Sequence, residues 1–250
     1  MFEKTFIAHG GEYLDELEDV SVALDGEWKF LITRIQPLVT DHRYRVVSEE
    51  RLIPKQGAYA AQFVGPAGVK KVVRTPEKIR VFYDGEESFD ADVLASTALT
   101  ADSFFLFTLG PLALGEHRGQ FQRLQDAREG GRTYYRIYSA VSPGIGVSEQ
   151  DEIVLWVDQE TNLTYRIHIT LEGYKTTQGA HVDVSFVGYQ TRGPFILASR
   201  FSERVLGPIK IKAHDWYLTG LDINRGMMFD SLDGPAYSGA AAKPATALQP

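Results

Sequence analysis

Residues 163–171 read LTYRIHITL and residues 180–189 read AHVDVSFVGY. In both stretches the apolar residues recur at every second position, which is typical of β-strands with one buried face. Joined by a short turn, the two strands place Ile167 opposite Val184, and a slip of one residue would mix apolar and polar side chains. The shared apolar face then carries Leu163, Tyr165, Ile167, Ile169, Leu171, Val182, Val184 and Phe186. The pair predicts an antiparallel sheet with one apolar and one polar side.

The same period of two recurs on both sides of this pair, and short turns separate the segments. The further predicted strands are 20–32, 43–53, 58–64, 69–75, 78–83, 121–127, 133–141, 152–157, 195–205 and 212–222. Parallel pairing requires long crossover connections, and these turns are too short to provide them. The sequence therefore predicts an antiparallel meander of about eleven strands.

Two segments depart from the period of two and favour helix. Residues 2–17 have apolar residues at helical spacing, interrupted by Gly10 and Gly11. Residues 90–109 have helical spacing as well, and Gly110 with the following proline ends that segment. The fold class predicted is mainly β with a helical insert (α+β), in which the insert covers the concave apolar side of one curved sheet.

The composition excludes several classes of protein. The chain has 26 Lys and Arg against 33 Asp and Glu, a net charge of −7, and it has no concentrated basic face for a nucleic acid. It contains no cysteine, which excludes a disulfide scaffold, a thiol nucleophile and Cys-ligated zinc. No run approaches the roughly 18 apolar residues of a membrane span, and no signal segment opens the chain.

One constellation has residue types that suit an enzyme. His168, His181 and Asp183 lie on the polar face of the quoted hairpin, where two imidazoles and a carboxylate suit a metal ion or a catalytic dyad. The alternative is a solvated outer face with a cross-strand His–Asp pair, and we favour it. The sequence contains no nucleophile-elbow, zinc-protease or phosphate-loop motif. We predict no catalytic residue, no metal and no cofactor.

The helical insert is unusually aromatic. Phe104 and Phe105 are adjacent, so they present apolar surface in more than one direction from a helix. Ordinary core packing is one explanation, and a partly unfilled cavity for an acyl chain under the insert is the other. The predicted ligand-binding residues are Trp28, Phe30, Tyr83, Phe104, Phe105, Leu163, Tyr165 and Ile167.

Three stretches resemble the LolA-like superfamily of lipoprotein carriers and periplasmic lipid-binding proteins. KIRVFYDG at 78–85 is similar to that family's strand and Asp-Gly hairpin before its helical insert. VDQETNLTYR at 157–166 and VDVSFVGY at 182–189 are similar to its later hairpin strands. The resemblance covers about residues 2–225 and lies in the order of elements more than in identity.

The resemblance implies an open, curved antiparallel half-barrel of about eleven strands, with an N-terminal helix and a mouth plugged by inserted helices. No linker divides the chain, and its composition turns Gly/Ala/Pro-rich at 230, so we expect one LolA-like domain over 1–229 and a flexible tail at 230–250. The expected ligand is a lipid or acyl chain, with a lipoprotein or envelope protein as a further partner. The expected location is the periplasm or cell envelope, with an export signal absent from this sequence. The alternatives are an RseB-like sensor or interaction module, and an enzyme that uses His168, His181 and Asp183.

Overall fold

The structure is a computed structural model, and it describes residues 1–233. Within that part of the chain there are fifteen strands, which are β1 Val20–Trp28, β2 Val47–Ile53, β3 Ala58–Gly65, β4 Gly68–Arg74, β5 Ile79–Tyr83, β6 Glu86–Ser88, β7 Gln122–Glu129, β8 Arg132–Val141, β9 Asp151–Asp158, β10 Thr164–Thr170, β11 His181–Phe186, β12 Tyr189–Arg192, β13 Phe195–Ala198, β14 Arg200–Gly207 and β15 Ile211–Ile223. The α-helices are α1 Phe2–Ala8, α2 Phe30–Ile35, α3 Pro37–Thr40, α4 Ala91–Leu109 and α5 Phe229–Leu232. The 3₁₀ helices are Gly11–Glu16, Pro54–Gln56 and Gly110–Gln120.

Thirteen of the strands form one sheet, in the order β6-β5-β4-β3-β2-β1-β15-β14-β11-β10-β9-β8-β7. Each neighbouring pair in it is antiparallel. The edge strands β6 and β7 do not pair with each other, so the curved sheet stays open. The prediction of an open, mainly antiparallel sheet is confirmed, with thirteen strands where about eleven were expected.

The helical insert connects the two open edges of this sheet. Helix α4 follows β6, and the 3₁₀ helix Gly110–Gln120 leads into β7, so the insert must cross the concave side. Helix α4 packs against β3, β4 and β5 and also against β13. By length and composition the segment Ala91–Gln120 would suit a membrane span, but 67% of its most apolar window is buried, as in a core helix. The prediction that 91–109 is helical is confirmed.

The register of the quoted hairpin is as predicted. Ile167 lies opposite Val184 and His168 lies opposite Asp183 across β10 and β11. Ile167 and Val184 are fully buried in the core, whereas His168 is on the opposite face and half-buried. Alternating burial on a pleated sheet explains why the period of two specified this register.

The first predicted strand is shorter than expected. β1 ends at Trp28, and Phe30 begins α2 instead of continuing the strand over 20–32. Trp28 and Ile32 are four residues apart, a spacing that satisfies both a period of two and a helical period. Pro37 then begins α3 at the first helical position, where proline is favoured. The exposed side chain of Phe30 results from this change of element.

Two other predicted strands are divided. Gly188, with φ of 79°, separates β11 from β12 within predicted strand 180–189, and Ser199 separates β13 from β14 within predicted strand 195–205. Gly193, with φ of 54°, forms the turn between β12 and β13. Because these backbone conformations favour glycine, the chain leaves the main sheet here and makes a two-stranded ribbon. The carbonyl of Ile196 on that ribbon contacts His9 at the end of α1, with 2.7 Å between the oxygen and Nδ1.

The packed chain extends past the predicted domain end at 229. Helix α5 buries Leu232 against Ile53, Ala58 and Ala60. Three residues of the predicted tail, 230–232, belong to α5, and the boundary between domain and tail stays a prediction. The rest of that prediction, 234–250, lies outside the described residues.

Candidate functional site

A cavity of about 240 Å³ lies between the covering helices and the sheet. It is larger than an apolar cavity of about 150 Å³ that holds benzene and somewhat smaller than the roughly 300–1,000 Å³ of drug-sized pockets. Its lining residues are Trp28, Ile32, Ile35, Gln36, Val39, Thr40, Leu99, Thr100, Ser103, Phe104, Phe107, Leu171, Thr176, Thr177, Gln178, Ala180, Val182, Glu203, Val205, Pro208, Ile209 and Ala213. Most of this surface is apolar, which suits one alkyl or acyl chain.

The covering helix is fixed to the sheet by an ion pair. Arg74 on β4 donates two hydrogen bonds to Asp102 on α4, both of 2.9 Å. The backbone N–H of Gly146 also donates to Asp102, at 2.9 Å, and Gly146 lies so close to Leu99 that a Cβ there would be 3.0 Å from its Cα. At the start of α4, Asp90 caps the free N–H groups of the first turn. These contacts position the apolar side of α4 over the cavity.

An aromatic ladder lies beside the cavity on the sheet. Trp28 stacks on His214 with ring centroids 3.8 Å apart and an interplanar angle of 2°. His214 stacks in turn on Trp216 at 4.7 Å, and Trp216 stacks on Phe201 at 4.9 Å. Burial lowers the pKa of His214 well below its usual value, so the imidazole is neutral. The ladder gives this part of the wall a rigid apolar surface.

Arg45 is a buried cation behind this wall. Its guanidinium carbon lies 5.1 Å from the ring centroid of Trp28, 5.0 Å from that of Phe63 and 4.9 Å from that of Phe104. It donates a hydrogen bond of 2.9 Å to the carbonyl of Val39, and its Nε has no partner. Burial lowers the pKa of Arg45. The guanidinium is held by ring faces and one carbonyl, and it does not line the cavity.

Glu203 is a carboxylate in the cavity wall. On β14 it lies on the same face as Phe201 and Val205. Its backbone lies opposite Val184 on β11 and His214 on β15. Burial raises the pKa of Glu203 to about 7, against a weaker opposing effect of the Arg45 charge. Its side chain is half-buried, and the exposed part faces the cavity that it lines.

Two of the eight predicted ligand residues line the cavity, namely Trp28 and Phe104. Phe105 is half-buried and packs against the core, whereas Phe104 points to the cavity wall. Ile167 is fully buried in the core and does not reach the cavity. That Trp28 and Phe104 contact a ligand stays a prediction.

Phe30 and Tyr83 lie elsewhere than predicted. The side chain of Phe30 is 72% exposed on α2 and is not part of the cavity wall. The hydroxyl of Tyr83 donates a hydrogen bond of 2.8 Å to Asp41, which also accepts one of 2.7 Å from Lys70. Tyr83 therefore belongs to a polar network at the β4–β5 side of the sheet.

A bulge in β10 moves the predicted Leu163 and Tyr165 off the inner face. The register shifts between Thr164 and Arg166, so that Tyr165 is the extra residue. Thr164 faces inward, where its hydroxyl bonds to the N-terminal helix, and Tyr165 stacks on Tyr134 with ring centroids 4.6 Å apart. Neither Leu163 nor Tyr165 lines the cavity. The prediction that Leu163 and Tyr165 share an apolar face with Ile167 is therefore wrong.

On the polar face of the hairpin, the candidate catalytic carboxylate is already engaged by other side chains. His168 and Asp183 are cross-strand neighbours as predicted, with Nδ1 and Oδ1 3.0 Å apart. Asp183 also accepts a hydrogen bond of 3.0 Å from Arg204 and lies 3.7 Å from Arg166. These cations occupy the carboxylate that a metal ion or a substrate proton would need. Over residues 1–233 no three His, Asp or Glu side chains are grouped for a metal ion.

Sequence reasoning missed three features of the site. Ile32 on α2 and Val39 on α3 line the cavity, but the predicted strand over 20–32 concealed the start of α2 and no element was predicted over 37–40. Glu203 was the third, and its signal was visible, since a glutamate sits between Phe201 and Val205 in a strand of period two.

Together these observations define a class of protein, the open antiparallel half-barrel in which a helical insert covers an apolar cavity. No family model matches the sequence, and no curated protein matches it. Among solved structures, a LolA superfamily protein from Nitrosomonas europaea matches with a TM-score of 0.53 at 11% identity, covering 92% of this chain and 97% of that one. A DUF1329 family protein from Desulfovibrio piger matches with a TM-score of 0.54 at 11% identity, covering 95% and 97%. This chain has the LolA-like fold.

Proposed function

We propose that this protein binds the alkyl or acyl chain of a lipid or lipidated protein in the cavity under α4. The observation that carries the proposal is the apolar space of about 240 Å³ between that helix and the concave sheet. A packed protein interior leaves few voids larger than a water molecule, so a space of this size under a covering helix suits a ligand. The proposed action is binding and carriage, without chemistry.

The fold supports the same reading. The half-barrel with a helical cover is shared with the LolA superfamily structure, and on that analogy the protein acts in the bacterial cell envelope. Its partner there is the lipid, or the protein that carries the acyl group. An enzymatic role has no comparable support, because Asp183 is engaged by His168 and Arg204.

Native mass spectrometry tests the proposal. The delipidated protein is incubated with a bacterial lipid extract, exchanged into volatile buffer and measured intact. We expect a noncovalent adduct of one lipid mass, which chloroform–methanol extraction releases for identification. A protein that remains free of adduct over a range of lipid concentrations, while correctly folded by circular dichroism, contradicts the proposal.

A further inference from the structure

Glu203 is the one ionisable residue among the side chains that line the cavity in the described chain. Most of the other polar side chains in the wall are engaged in hydrogen bonds. Ser103 donates its hydroxyl to the carbonyl of Leu99 at 2.8 Å, and Thr177 donates to that of Leu171 at 2.8 Å. The wall therefore presents an apolar surface with a single acidic position.

No side chain of the described chain contacts this carboxylate as a hydrogen-bond or ion-pair partner. Glu203 forms neither a hydrogen bond nor an ion pair with residues 1–233, although the charge of a buried cation acts on its carboxylate. That cation, Arg45, is committed to the carbonyl of Val39 and to three ring faces. The adjacent His214 is buried, with its Nδ1 unpartnered and its imidazole neutral. The carboxylate faces the cavity without a partner.

A carboxylate in an apolar wall destabilises the protein unless something pairs with it. A ligand with a positively charged end would pair with it and would gain from the low dielectric of the cavity. A ligand that ends in a carboxylate would place two like charges close together. An apolar wall with one unpaired acid thus favours a cation over an anion at the polar end of the chain.

We propose that Glu203 makes the cavity selective for alkyl chains that end in an ammonium group, an inference that rests on the proposed function. The class of ligand is a long-chain amine, with the chain between α4 and the sheet and its ammonium on the Glu203 carboxylate. Arg45 does not line the cavity, so it offers no competing site for an anionic end group.

The test compares decylamine, decanol and decanoate, each below its micelle-forming concentration, for displacement of an uncharged fluorescent alkyl probe at pH 8. The wild-type protein should bind decylamine at least tenfold more tightly than decanoate and more tightly than decanol. Glu203→Gln should lose at least tenfold in decylamine affinity and change decanol affinity less than twofold. Glu50→Gln is the matched control, because Glu50 is a buried glutamate of similarly raised pKa that does not line the cavity.

The outcomes separate the two levels of the proposal. Probe binding by the wild type with equal affinities for the three decyl ligands, decanol as the tightest ligand, or an unchanged preference in Glu203→Gln overturns the role of Glu203 alone. Failure of the wild type to bind the probe and all three ligands overturns the proposed function as well. Thermal melts verify that each variant is folded, and Glu203→Ala provides a second variant with the same expected loss of amine preference.

Discussion

At the scale of residues, the protein retains one buried and one half-buried glutamate whose ionisation opposes folding. Burial raises the pKa of both Glu50 and Glu203 to about 7 from the usual value near 4.5. Glu50 accepts a hydrogen bond of 2.8 Å from Ser48, whereas Glu203 has no such partner in the described chain. The raised pKa means that Glu203 holds its proton to higher pH in the empty protein than a solvent-exposed glutamate does.

Glu203→Gln should stabilise the empty protein in a pH-dependent way. For an acid with a raised pKa the native state holds the proton longer, so stability falls as pH rises from about 4.5 to above 7. Arg45 and His214 face Glu203, and burial holds the pKa of His214 well below its usual value. The variant should gain about 3 kcal/mol in free energy of unfolding at pH 8 and almost nothing at pH 4.5. Urea unfolding at both pH values measures this, and an equal gain at both would contradict it.

At the scale of elements, a neutral imidazole at the end of α1 is one of the groups that attach this helix to the sheet. The Nε2 atom of His9 accepts from the N–H of Thr164 at 3.1 Å, so Nδ1 carries the proton and donates to the carbonyl of Ile196. Burial lowers the pKa of His9 to about 4. Protonation would remove the acceptor that Thr164 uses, which makes this tether sensitive to acid.

The free energy of unfolding should therefore fall more in acid for the wild type than for His9→Ala. A base with a lowered pKa binds its proton first in the unfolded chain, so the contribution is complete above pH 6.5 and is lost as pH falls towards 4. Between pH 7 and pH 5 the wild type should lose about 2 kcal/mol more than His9→Ala. Guanidinium unfolding of both proteins checks this, and parallel pH profiles would show that His9 is not the responsible group.

The attachment of α4 makes a second prediction at this scale. Asp102→Ala removes both hydrogen bonds from Arg74 and the one from Gly146, and it leaves the partly buried guanidinium with its hydrogen bond of 3.1 Å to the carbonyl of Gly146. We expect a loss of about 1–3 kcal/mol in unfolding free energy, because the unpaired donors bear a desolvation cost. Hydrogen exchange should accelerate over 91–109 more than in the strands. Asp126→Ala, which removes an exposed pair with Arg123, is the control and should change exchange in α4 very little.

At the scale of the whole molecule, one connection determines the architecture. Because α4 and the following 3₁₀ helix connect β6 to β7 at opposite edges of an open sheet, the insert has to cross the concave side. Side chains that face this side from β11, β14 and β15 then meet the helix across a space that they do not fill. The cavity thus results from the order of elements along the chain.

The period of two predicted most of this architecture, since alternating burial is a local signal that each strand carries. It located the hairpin with Ile167 opposite Val184, and its absence over 91–109 indicated the helix there. It failed where the local signal is ambiguous or where a backbone irregularity intervenes. The spacing of Trp28 and Ile32 fits a strand and a helix alike, and the bulge at Tyr165 depends on pairing with β9.

The candidate site was less predictable because a cavity depends on distances between elements. Nothing local to Phe104 and Phe105 shows which of the two faces the cavity, and only Phe104 does. The position of Glu203 on the inner face could be predicted from the alternation along its strand. Its lack of an ion-pair partner could not, because that depends on Arg45 being engaged by Trp28 and Phe104. Contacts of this kind join residues that are far apart in sequence.

Filling the cavity tests the central claim most directly. Val205 is half-buried in the cavity wall, whereas Val187 is 53% exposed on the surface, so Val205→Trp and Val187→Trp form a matched pair. All three proteins, including the wild type, are titrated with the uncharged fluorescent alkyl probe and then melted. We predict saturable binding by the wild type and by Val187→Trp, and at least a tenfold loss in Val205→Trp with little change in melting temperature, because the indole occupies the space of the chain. Unchanged probe binding by folded Val205→Trp, or no binding by the wild type, would contradict the claim that this cavity receives an alkyl chain.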